Sequence, residues 1–147
     1  MQSFKEHVSY QYQFKIYNME HTVAFAPELY IPNGTRDISF YIDGLGAKEL
    51  RRFSNDDVTI HVSELSINGA MFHLHEETKN MAAFAPSKHN GCTALIGLFV
   101  QDVDEVMTRA VAAGAVITSP AQDYDYGYRQ GVFRDPFGHL WMIEKKI

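Results

Sequence analysis

Two histidines, His73 and His75, stand two residues apart in the segment AMFHLHEE (70–77), and a carboxylate, Glu64, lies in the segment before it, VTIHVSELSI (58–67). Asn68-Gly69 between the two segments is the strongest short signal for a two-residue hairpin turn. With that turn, Ile67 pairs with Ala70, Glu64 lies opposite His73, and Val62 lies opposite His75. Strand alternation then puts Met71, His73 and His75 on one face, with Ile60, Val62 and Glu64 beside them. By the same alternation His61 points away. Two imidazoles and a carboxylate on one face can hold a divalent ion and leave positions open to substrate. Glu64 against His73 can equally act as an acid–base pair without metal. The third alternative is structural, since an alternating strand places polar groups on whichever face is wet.

Elements must position these residues. TVAFAPELYI (22–31) reads as a strand that Pro27 confines to an edge or a bulge. Thr35 is the expected N-cap of a short helix with Ile38, Tyr41, Ile42 and Leu45 at helical spacing, ended by Gly44 and Gly46. A strand at 48–54 and the hairpin follow. Residues 81–92 are the linker. TALIGLFV (93–100) is an apolar strand. Asp102 caps a helix whose apolar stripe is Val103, Val106, Met107, Ala110 and Val111, with Gly114 closing it. AVITSP is a short strand ended by Pro120, and the Tyr-rich AQDYDYGYRQ segment leads into a last hairpin. Its turn, Asp135-Pro136-Phe137-Gly138, has the type I preferences: Asp first, Pro second, Gly fourth. His139 after it bonds the turn backbone or solvent.

The order β-α-β-β-β occurs twice, so the predicted fold class is α+β, with two βαβββ modules from an internal duplication. The organisation expected is an N-terminal extension at 1–20, where VSYQYQFKIY alternates loosely as an edge strand, a first module at 21–80 and a second at 93–147, together one structural domain.

Of the 147 residues, 46% are hydrophobic and 13% aromatic, which argues against disorder. The net charge is −5, and no basic run exceeds Arg51-Arg52 or Lys145-Lys146, so nucleic acid is not an expected partner. Cys92 stands alone, which rules out an internal disulfide or a thiolate cluster and suits a reducing cytoplasm. No apolar run reaches the roughly 20 residues of a spanning helix. The first twenty residues lack the pattern of a signal peptide. A cytoplasmic protein without membrane contact is expected.

The pieces "DISFYIDGLGAKELRRF", "SINGAMFHLHEE", "VQDVDEVMTRAVAAGA" and "YGYRQGVFRDPFGHLW", in this order, resemble the vicinal oxygen chelate superfamily of glyoxalases, bleomycin-resistance proteins and extradiol dioxygenases, and within it the PhnB-like branch. The resemblance spans residues 22–146. It implies sheets curled around a cupped cavity and a homodimer, with cavities formed within one chain or between chains. It also implies four slots for a divalent metal, one on the first and one on the last strand of each module. On this chain those slots fall near Ala26–Glu28, on His73, on Leu95 and on Met142. Leu and Met do not ligate a hard or borderline divalent ion, so no metal cofactor is expected. The alternative is Zn, Fe, Ni or Mn at a rearranged site of His73, His75 and Glu64.

By the same resemblance, Leu95, Gly97, Phe99, Leu140 and Met142 would line the second half of the cup, with Gly97 allowing close approach. Trp141 would pack on the opposite face. Tyr124, Tyr126, Tyr128 and Arg129 would rim its mouth, with Tyr126-Gly127-Tyr128 as a lid or a packed loop. Arg129 would either clamp an anionic ligand or pair with Asp123 or Asp125. The function expected first is metal-free binding of a small organic molecule. The alternatives are a metal-dependent lyase, isomerase or dioxygenase-like enzyme, and a metal-free catalyst using Glu64 and His73.

Overall fold

The computed structural model describes residues 23–80 and 82–147, so the edge strand expected before residue 20 lies outside the described residues. β1 (Glu28–Ile31), β2 (Lys48–Ser54), β3 (Ile60–Ile67) and β4 (Ala70–Glu76) form one sheet in the order β1-β4-β3-β2. β5 (Leu95–Phe99), β6 (Val116–Tyr124), β7 (Tyr128–Arg134) and β8 (Leu140–Lys146) form a second with the same topology, β5-β8-β7-β6. In each sheet the first strand runs parallel to the last, and the other pairings are antiparallel. A helical segment follows the first strand of each module: the π-helical turn Phe40–Gly44 and the helix α1 (Val103–Ala112). The expected α+β architecture of paired modules is the one observed.

The β3–β4 hairpin has the predicted register, with Ile67 opposite Ala70, Glu64 opposite His73 and Val62 opposite His75. Asn68 and Gly69 both take positive φ, 48° and 94°, as a primed two-residue turn requires. Asp102 caps α1, its Oδ1 accepting from Glu105 N at 3.0 Å.

Several local expectations are corrected. Thr35 does not cap a helix: its hydroxyl donates to the Pro32 carbonyl at 2.6 Å, and Ser39 stands at the N-cap. β1 begins only after Pro27, which cannot donate to the ladder. Val111 is exposed, because it falls beyond the stripe of Val103, Val106, Met107 and Ala110 that α1 buries. β6 runs through Pro120 to Tyr124, since a register shift between Ser119 and Gln122 leaves the proline outside the ladder. The Tyr-rich segment is therefore a hairpin, not a loop. On β3, a register break opposite Phe53/Ser54 reverses the alternation, so Ile60 turns into the core instead of standing beside Val62.

The two sheets share one core. Phe72 of β4 meets Trp141 of β8 with ring centroids 5.7 Å apart, and Phe40 meets Phe133 of β7 at 6.0 Å. Ile31, Leu65 and Leu74 from the first sheet, with Phe133 and Ile143 from the second, lose all contact with water. Each such burial contributes about 1.5–3 kcal/mol. The Phe40–Gly44 turn packs on α1, where Arg109 Nε donates to the Gly44 carbonyl at 3.1 Å.

This packing decides where the candidate residues point. The Phe72/Leu74 side of sheet one faces the Trp141/Ile143 side of sheet two. Alternation then turns His73 and His75 outward on one side of the molecule, and Leu140 and Met142 outward on the other.

Candidate functional site

On the outward face of sheet one, which is open as far as the described residues go, the parallel pairing of β1 and β4 sets Glu28 beside His73 and Tyr30 beside His75. The Tyr30 and His75 rings lie 5.6 Å apart, and Tyr30 Oη donates to Glu28 Oε1 at 3.2 Å. The β3 bulge also brings His61 to this group, its ring centroid 5.0 Å from that of His75, against the expectation that it points away. His61 Nδ1 donates to Glu76 Oε1 at 2.7 Å, and His75 Nδ1 donates to the Glu76 carbonyl at 2.6 Å. His73 Nε2 is buried and has no partner among the described residues.

The metal implied by the resemblance needs a convergent donor set. Among the described residues no three His, Cys, Asp or Glu side chains converge on one point. Glu28 and His73 are neighbours in the ladder, but the remaining two slots hold Leu95 and Met142, on a different sheet facing away. The residues present do not fit a four-donor ion.

On the open face of sheet two, Leu95 and Phe99 are 49% and 61% exposed. Gly97 lies opposite Met142 between them. The group that sequence reasoning missed here is Glu144. It shares the face of Met142, two residues further along β8, and only 6% of it is exposed. Gln130 Nε2 donates to Glu144 Oε2 at 2.7 Å, and Tyr126 Oη donates to Gln130 Oε1 at 2.6 Å. Glu144 Oε1 lies 2.8 Å from where a Cβ on Gly97 would stand, so the missing side chain at Gly97 makes room for this carboxylate. Phe99 and Tyr128 meet edge to face at 6.2 Å, while Tyr126 lies 5.9 Å from Tyr128 and stacks on Tyr124 at 5.1 Å. Strand parity was the signal that could have found Glu144, because it follows Met142 by two.

Arg129 faces the other way. It forks onto Asp104 of α1 through Nε and Nη2, at 2.8 and 2.7 Å, and reaches Asp123 through Nη1 at 2.7 Å. These bonds to two carboxylates raise its pKa further. It ties β7 to the helix and does not rim the open face.

Asp135 is a second missed residue. Its carboxylate is buried and accepts from Tyr41 Oη (2.7 Å), Trp141 Nε1 (3.1 Å), His139 Nδ1 (3.1 Å) and the backbone N–H groups of Phe137 and His139 (2.9 and 3.0 Å). His139 is accordingly buried, not solvent-facing, and its Nε2 has no partner among the described residues. Burial and the Asp135 charge push the Tyr41 hydroxyl well above the usual tyrosine range. The five donors explain how a carboxylate is tolerated inside the core. Between the sheets, by the Asn68 turn and the β5–α1 connection, runs a groove of about 620 Å³; of the predicted ligand residues it reaches Phe99 alone.

Two sheets of this topology, back to back, define the vicinal oxygen chelate fold. Residues 19–143 match the model of the Glyoxalase/Bleomycin resistance protein/Dioxygenase superfamily, and the chain belongs to that family. It is 32% identical over 127 residues to the uncharacterized protein Mb0911c of Mycobacterium bovis, covering 84% of each chain. Among solved structures it resembles TioX from Micromonospora sp. ML1, with 28% identity, 85% and 97% of the two chains covered, and a TM-score of 0.64. The fosfomycin resistance protein FosX from Listeria monocytogenes, at 19% identity with 84% and 93% coverage and a TM-score of 0.62, shares the fold.

Proposed function

We propose that this protein binds a small organic molecule on its open sheet faces, as a homodimer in which sheet one of one chain closes over sheet two of the other. One observation carries this: the two candidate faces point away from each other within a chain, so neither makes a cup alone. Exposed Leu95 and Phe99 beside the buried carboxylate of Glu144 suit a binding face that a partner covers. The dimer, the ligand and the absence of a catalytic metal are parts of one proposal. Sedimentation equilibrium tests the first part and is expected to give twice the chain mass; a monomer at micromolar concentration would contradict it. A thermal-unfolding screen of small organic molecules tests the second, with at least one binder expected to raise the midpoint. Elemental analysis of purified protein tests the third, and no stoichiometric divalent metal is expected.

A second reading has one observation in its favour. The buried His73 Nε2, opposite Glu64 and without a partner among the described residues, is a group placed to act on a bound molecule. The readout is turnover of any binder found in the screen. Loss of turnover in Glu64→Gln and His73→Ala, with binding kept, would make the protein an enzyme.

A further inference from the structure

We infer that the open face of sheet two selects an organic cation, a ligand with an ammonium or amidinium head on an apolar body, and that Glu144 is the residue that anchors it. This rests on the open-face binding proposed above. Three features of the face converge. The first is a carboxylate brought almost out of water on an otherwise uncharged stretch of β8, Leu140 to Met142 to Glu144. A buried carboxylate is costly unless something compensates it. Here Oε2 has the Gln130 amide, while Oε1 has no donor among the described residues and is not one of their fully buried, unpartnered atoms, so it stays reachable from the face. The second is Gly97, whose bare backbone leaves Oε1 its place on the sheet surface.

The third is the aromatic surround. Glu144 pairs in register with Phe99 on one side and Gln130 on the other, and Phe99 meets Tyr128 at 6.2 Å. Tyr126 holds Gln130 in place and touches Tyr128. Ring faces attract cations through their quadrupole, and a carboxylate beside them adds charge complementarity. An anionic ligand would meet the Glu144 charge with no compensating cation close by among the described residues. Lys146 is the next residue on that face of β8, but it is exposed at the strand end, where water and salt screen it. Of the two arginines on the neighbouring strand β7, Arg129 is committed to Asp104 and Asp123 on the other side of the sheet, and Arg134, which shares the face, stands four residues from Gln130, exposed opposite Leu140 at the far end of the strand.

The test uses three probes with one aromatic body: benzyltrimethylammonium, benzyl alcohol and phenylacetate, each titrated into the full-length protein by two-dimensional amide NMR. The expected result is that benzyltrimethylammonium shifts the amides of Gly97, Phe99 and Gln130, binds most tightly of the three, and weakens about tenfold in Glu144→Gln. Phe99→Leu, at an exposed position that tolerates the change, is expected to weaken the same probe several-fold while leaving the fold intact, which covers the case in which Glu144→Gln fails to fold. Equal binding of all three probes at these amides, or a cation affinity untouched by both variants, overturns the cation inference and leaves open-face binding standing. Absence of any shift at these amides with all three probes overturns the open-face site itself.

Discussion

Tyr41 Oη donates to Asp135 Oδ2 at 2.7 Å, across 94 residues of sequence, and this bond joins the helical turn of the first module to the last hairpin of the second. Both groups are buried. Tyr41→Phe removes one donor and keeps the ring, so a loss of about 1.5–3 kcal/mol is expected, the range for hydrogen bonds to charged groups. Asp135→Ala strands Tyr41, Trp141 and His139 as buried donors without an acceptor, and about 3–5 kcal/mol is expected. Equilibrium denaturation in urea measures both. An Asp135→Ala protein as stable as the parent would show that the two modules are joined by apolar packing alone.

The same carboxylate sets an acid limit on stability. Burial alone would raise the Asp135 pKa, but the hydrogen bond and charge of His139, then the Tyr41 and Trp141 donors, outweigh it and hold it below the usual aspartate range. A carboxyl lowered in the folded state contributes stability that is fully present above its unfolded value, about 3.9. That contribution is lost as pH falls through the folded value. Melting temperatures between pH 6 and pH 3 are expected to drop more steeply for the parent than for Asp135→Asn, which has no carboxyl to titrate. Parallel curves would assign the acid sensitivity elsewhere.

Much of this was legible in the chain, and the limits have physical causes. The β3–β4 register followed residue by residue from Asn68-Gly69, because a primed turn fixes the pairing. The reversal at Ile60 and His61 did not follow, since it comes from a bulge opposite Phe53/Ser54 that no local residue type announces. The turn at Asp135 was legible as backbone chemistry. Its burial was not, because Tyr41 approaches from the other module. Glu144 had the right parity but no visible depth, which depends on Gly97 and Gln130 from two other strands. The cup expected to hold both His73 and Met142 fails within one chain for a related reason: alternation gives two faces per strand, and only packing between the sheets says which one is covered.

Arg129 distinguishes the two faces of sheet two. It is bound to Asp104 and Asp123 on the helix side, while the candidate ligand face lies opposite. Arg129→Ala is expected to lower the melting temperature slightly, by an amount that shrinks in high salt, because the pairs reach water. Affinity for any open-face ligand is expected to stay unchanged. A ligand whose binding collapses in Arg129→Ala would move the site to the rim, with Arg129 as its clamp.

Gly97→Ala probes the open face with a single carbon. The new Cβ would stand 2.8 Å from Glu144 Oε1, closer than such atoms approach. The obstacle is the end of a flexible side chain on an open face, so the carboxylate swings aside and the backbone keeps its place. The melting temperature is therefore expected to remain within about 2–4 °C of the parent, a change of roughly 1 kcal/mol in a chain of this size. The displaced carboxylate no longer stands between Phe99 and Gln130, so benzyltrimethylammonium is expected to bind more weakly, towards the level of Glu144→Gln. The double variant should then weaken binding little further, because both changes act on the same group. Independent, additive losses in the two single variants would mean that Gly97 makes room for the ligand itself and that the carboxylate acts elsewhere.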